Sequence, residues 1–199
     1  MKKREFLSAS ALAALALPGG AMAQVAAARS KPLAGPGLLT VTGAIGKGNR
    51  GAIDPALDQM MVKLQLKYDK AQVFDFATLT AMPAVTIKPT VEYDGKVHTL
   101  KGPLLVDVLK AAGVTAGDSA RLQMHAVDGY APEIVLGDAR KRRYIVATHL
   151  DGAPLSLGGL GPLWGVYEPD AFPEMKAKTL PERFANCPWG LFHIDVKAG

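Results

Sequence analysis

The stretch PTVEYDGKVHTLKGPLLVDVLKAAGV, residues 89–114, contains a strand, a tight turn, a return strand and an amphipathic helix in immediate succession. Asp94-Gly95 is a dipeptide that hairpin turns favour, because their central residues need positive φ. The segment before it, AVTIKPTVEY (84–93), alternates as a strand, and KVHTL (96–100) is its return. Pro89 has no amide to donate to a ladder, so the incoming strand belongs at an edge or carries a bulge. Pro103 suits the opening of a helix in which Leu104, Leu105, Val108, Leu109 and Ala112 share one face, and Gly113 closes it.

Outward from this unit, the first 23 residues read as an export signal. Lys2, Lys3 and Arg4 precede an apolar run, and Ala21-Met22-Ala23 forms an A-x-A cleavage site before Gln24. The run is too short for a membrane span and is broken by Pro18-Gly19-Gly20. KREFL approximates a twin-arginine signal with Lys3 in place of the first arginine, so both the Sec and twin-arginine routes stay open. Cleavage leaves 176 of the 199 residues and a net charge of +3 in place of +5, which gives no argument for nucleic acid. A periplasmic protein without a membrane span in its mature chain is expected. One cysteine, Cys187, rules out an internal disulfide, so the hydrophobic core must carry the fold.

Residues 24–37 are Ala/Pro/Gly-rich and read as a flexible lead-in to one domain over 38–197. LLTVTGAI (38–45) has strand character. Leu57, Met60, Met61, Leu64 and Tyr68 recur at helical spacing, with Asp54 placed as N-cap and Pro55 at the first turn. FDFATLTAMP (74–83) reads as a strand end entering a short helix stopped by Pro83. In the second half, segments 120–127, 143–150, 162–168 and 191–197 are expected strands separated by Gly/Pro/Asp-rich turns. The class is α+β, a mixed sheet with short helices.

Few motifs carry chemistry. LGGLGP (157–162) leads into a strand and lacks the helix N-terminus that cradles phosphate. His98, His125, His149 and His193 are scattered. His125 stands out because the turn at Asp128-Gly129 can bring it towards Tyr130. RKRR (140–143) is a solvated strand entrance or an anion site. Cys187 in NCPWG has no activating partner and reads as an inert buried thiol.

Taken in order, LTVTGAI, FDFATLTAMP, VTIKPTVEYDGKVHTLKGPLLVDVLKAAGV, AVDGYAPEI, VATHLDGAPL, GLGPLWGVYEP and FHIDV resemble the oxidoreductase molybdopterin-binding domain family of the sulfite oxidase fold. The resemblance covers about Leu38 to Val196. It implies a mixed-sheet α+β fold and a cofactor cleft at Thr90, His125, Asp128, Tyr130, Arg140 and Trp164. Catalytic members supply a cysteine thiolate to molybdenum at the position of Thr90, and an arginine where Trp164 stands. A hydroxyl is a poor substitute for a soft thiolate, so no protein ligand to the metal is expected.

Two readings follow. One is an exported oxidoreductase-type domain that holds molybdopterin, or a small anionic ligand, without a protein thiolate on the metal. The other is a non-catalytic periplasmic module that binds a small ligand or a protein partner in the same cleft.

Overall fold

The alternation in LLTVTG sends Leu39 and Val41 to one side and Thr40 and Thr42 to the other, the pattern of a strand between two layers. A computed structural model describes residues 33–199; the expected signal peptide and the lead-in as far as residue 32 lie outside the described residues. The strand is β1 (Gly37–Gly43), inside a five-stranded sheet. The sheet order is β2 (Gln72–Asp75), β1, β11 (Leu191–Lys197), β5 (Arg121–Ala126) and β6 (Glu133–Val135). β11 runs parallel to β1, with Thr40 opposite His193, and antiparallel to β5, with His193 opposite His125.

The β11–β5 register shifts between Leu191 and His193. Such a bulge turns consecutive residues to one face. Leu191, Ile194 and Val196 therefore enter the main core, whereas Phe192 packs on the other face with Met61, Tyr68 and Ala71.

Over the main face lie β3 (Ala84–Ile87), β4 (Leu100–Pro103), β8 (His149–Leu150) and β9 (Ala153–Pro154), in that order, and the pair β7 (Ile145–Ala147) and β10 (Trp164–Val166). β4 abuts β7: the Thr148 amide donates to Lys101 O at 2.8 Å and the Leu105 amide to Tyr144 O at 2.8 Å. The helices are one to two turns long: α1 (Gln59–Lys63), α2 (Phe76–Ala81), α3 (Leu105–Ala111), α4 (Leu136–Lys141), α5 (Pro173–Lys176) and α6 (Leu180–Phe184). Leu105, Val108 and Leu109 are buried, so α3 presents the stripe expected of it. Asp75 caps α2 by accepting from Thr78 N at 2.7 Å, and its other oxygen accepts from Ala34 N and Gly35 N. These bonds hold the Asp75 carboxyl down at about 2.

The α+β class is as expected, and several elements differ. The helix expected from Asp54 to Tyr68 shrinks to α1. The Asp54 carboxylate accepts from Ala56 N and Leu57 N, closing a turn instead of capping a helix, and Gln65 at φ 58 ends the helical path. Leu57 is consequently 82% exposed. Pro103 remains in β4, and α3 starts two residues later at Leu105. The strand expected over 143–150 divides into β7 and β8. Arg140 and Lys141 end a helix, α4, and do not open a strand; Arg143 turns the chain with φ 56. The helices α4, α5 and α6 lie where strands and turns alone were expected.

Gly102 shows how closely β4 and β7 meet. A Cβ built there would lie 2.0 Å from Val146 O, a backbone atom that cannot move without breaking the ladder. Gly102→Ala is expected to lower stability by about 3 kcal/mol, the upper part of the overpacking range. Urea unfolding checks this, with Gly117→Ala, which meets nothing within 4 Å, as the control.

Candidate functional site

Thr90 sits just after β3, half-buried, at the base of the 91–98 hairpin. It bridges to Val97, Val91 N donates to Lys96 O at 2.8 Å, and Gly95 takes the positive φ of 66° that the turn requires. The amide of Thr90 is already engaged. It donates to Asp170 Oδ2 at 2.6 Å, while Asp170 Oδ1 accepts from Arg183 Nη1 at 2.9 Å. Arg183 uses its remaining donors on Lys178 O and Lys176 O.

The segment that brings Asp170 and Arg183 together is strapped to the domain by aromatic donors. Tyr167 Oη donates to Arg183 O at 3.1 Å, Tyr130 Oη to Ala185 O, Tyr144 Oη to Asn186 O at 3.5 Å and Trp164 Nε1 to Cys187 O at 2.8 Å. At its start, Thr179 and Glu182 form a capping box on α6. Carbonyls at a helix C-terminus need partners, and here aromatic side chains supply them.

Beside Thr90 opens a cleft of about 490 Å³ walled by Val91, Tyr93, Leu150, Leu160 and Trp189, with Gly158 and Gly159 on one side. Asp94 and His98 line it as well. His98 Nδ1 lies 2.6 Å from Asp151 Oδ2 and its Nε2 3.0 Å from Asp94 Oδ2. These two carboxylates hold the imidazole above its ordinary pKa, and both are themselves held low by it. The Tyr93 hydroxyl is pushed up by burial and then by the charge of Glu92, with a smaller contribution from Asp128. Tyr130 is likewise pushed up, first by burial and then by Cys187, Asp128 and Glu92.

Of the other residues expected at this site, Trp164 is bridged through the backbone to the cleft-lining Trp189 but is turned into the core, and Arg140 and His125 lie elsewhere. Trp164 is fully buried in β10, its indole directed to Cys187 O. Arg140 pairs with Asp118 at 3.2 Å and borders a separate cavity of about 340 Å³ with Val106 and Lys110. His125 is on the five-stranded sheet, its ring 5.0 Å from that of His193, on the side covered by α1 and Tyr68. The turn at 128–129 pairs Ala126 N with Tyr130 O and points Tyr130 to Ala185, not to His125. Tyr93, Asp170 and Trp189 were not singled out in the sequence. Trp189 adjoins Cys187 in NCPWG, and an aromatic residue between Pro and Gly in a turn was the available signal.

Cys187 is buried and its thiol is pushed up to about 12 by burial, so it stays protonated at neutral pH. Among the described residues no group of three His, Cys, Asp or Glu is arranged to hold a metal ion.

The His125–His193 pair has its own chemistry. Thr42 Oγ1 donates to Asp195 Oδ1 at 3.2 Å, so it accepts from His193 Nε2 at 2.9 Å, which leaves the buried Nδ1 as a bare lone pair without a partner. Burial, followed by the neighbouring His125, lowers His193 to about 3. Between pH 6.5 and about 3 the unfolded chain binds a proton here that the folded chain refuses. Stability from this group is therefore complete above 6.5 and falls as the pH drops, by up to about 5 kcal/mol. Urea unfolding at pH 7 and pH 4 should show the loss, and His193→Phe should flatten it.

The Asp170 link offers a second check. Asp170→Ala leaves the half-buried Arg183 guanidinium and the Thr90 amide without their acceptor. A loss of about 2 kcal/mol is expected, with faster amide exchange at Thr90.

No protein-family model matches the chain. No curated protein matches it either. Among solved structures, the crystal structure of the sulfane dehydrogenase SoxCD from Paracoccus pantotrophus superposes with a TM-score of 0.51 at 12% identity. The match covers 81% of this chain and 38% of that one, so this chain spans well under half of the SoxCD chain. At this identity the likeness shows a shared α+β fold. No helix among the described residues is long and apolar enough to cross a membrane.

Proposed function

We propose that the chain is an exported ligand-binding module on the fold of a molybdenum oxidoreductase, and that it holds no thiolate-bound molybdenum. The carrying observation is the environment of Thr90. Its side chain offers a hydroxyl where a soft thiolate is needed, and its amide is bonded to Asp170 at 2.6 Å. Cys187, protonated in the core, is no replacement.

The adjoining cleft fits molybdopterin poorly. A pterin with a phosphate needs cations, and arginine forks are the usual donors. None of the residues lining the cleft is Lys or Arg, and Asp94 stands among them. Arg140 lies in another cavity. The donor set therefore suits neither the cofactor nor a small anion, and no chemical step is assigned through the metal. The fold shared with a dehydrogenase and the A-x-A signal support a module that kept the scaffold while its cleft took another ligand.

The test is metal content. The chain, expressed with its own signal in cells that make molybdopterin, should purify without molybdenum above trace by mass spectrometry and without pterin fluorescence. Thr90→Cys should stay metal-free as well, because the thiol arrives without cations to hold the phosphate. About one molybdenum per wild-type chain would overturn the proposal.

A further inference from the structure

The cleft at Thr90 is apolar in its walls but sits in a negative field. His98, a cation between Asp94 and Asp151, has its charge more than offset by those two carboxylates. Asp94 lines the cleft itself, and Asp151 is joined to it through His98. Lys96, at the tip of the hairpin, is exposed and is not among the lining residues.

Two aromatic side chains flank the opening. Tyr93 is 58% exposed although it lines the cleft, and Trp189 is half-buried opposite a floor of Val91, Leu150 and Leu160. A large aromatic left this exposed beside an apolar floor is the feature that needs explaining. The faces of Tyr and Trp rings carry partial negative charge and attract cations, most strongly where the cation is partly desolvated. An anion in this cleft meets one cation, His98, whose two partner carboxylates outnumber it. A neutral hydrocarbon gains burial alone. An ammonium bearing apolar substituents gains burial, ring attraction and the carboxylate field together.

Building on the binding-module reading, we infer that the cleft binds a small organic cation of the alkylammonium class, in contact with Tyr93 and Trp189, with Asp94 and Asp151 supplying the counter-charge. The volume of about 490 Å³ accommodates a quaternary ammonium with an aliphatic or aryl tail.

The experiment uses the mature chain and four probes of matched shape: choline, benzyltrimethylammonium, the uncharged carbon isostere 3,3-dimethylbutan-1-ol, and the anion 3,3-dimethylbutanoate. Binding is read by ligand-observed NMR and by the fluorescence of Trp189, since Trp164 is fully buried. The cations should bind about tenfold more tightly than the alcohol, and the carboxylate should not bind. Asp94→Asn should weaken the cations several-fold and leave the alcohol unchanged, whereas Tyr93→Leu should remove the preference for charge. Equal binding of choline and the alcohol, tightest binding of the carboxylate, or no binding of either cation would each overturn the inference. Those outcomes leave the metal-free binding module standing. Stoichiometric molybdenum would remove that module whatever the titrations give, so the two failures are distinguishable.

Discussion

The rest of the molecule depends on β11, the last strand of the chain, lying at the centre of its largest sheet. It pairs in parallel with β1 and antiparallel with β5, so it joins elements from both ends of the domain. Parallel pairing cannot be made by a turn and needs a long connection; here that connection is nearly the whole domain. The five-stranded sheet is therefore incomplete until residues 191–197 are in place, and both of its faces are organised by the same strand.

The bulge at Phe192 extends this control to the second face. Without the extra residue, Leu191, His193 and Asp195 would share one side by simple alternation. With it, Leu191 joins Ile194 and Val196 in the core, while Phe192 completes the small cluster with Met61 and Tyr68 and His193 meets Thr42 and His125. The cost is a buried imidazole nitrogen with no donor. Immediately upstream, Trp189 is delivered to the cleft at Thr90, so the central strand and the candidate site are adjacent in the chain.

The surroundings of Thr90 are fixed by the strap from Asp170 to Cys187, which occupies the Thr90 amide and is itself pinned by Tyr130, Tyr144, Tyr167 and Trp164. Trp164 is one of those pins: its indole satisfies the Cys187 carbonyl in the core.

Much of the architecture was legible in local signals. The hairpin at Asp94-Gly95, the apolar face of α3, the closing Gly113 and the extent of β11 all follow from turn chemistry and periodicity, because those features are decided within a few residues. The stripe at 57–68 misled for an equally physical reason: Asp54 and Gln65 fix the backbone locally, and two of its apolar residues are left to solvent. α4 was missed because Leu136–Lys141 is barely two turns and owes its helical form to packing of Leu136 and Ala139, not to a periodic pattern. As for the site, the sequence by itself determined that Thr90 offers a hydroxyl and no thiol, since that is a matter of residue type. Only the tertiary structure decided which side chains meet there. It separated Arg140 and His125 from Thr90, bonded Asp170 to it and brought Tyr93 and Trp189 to the adjoining cleft, because proximity between residues up to a hundred positions apart is set by strand register and core packing, which no local pattern records.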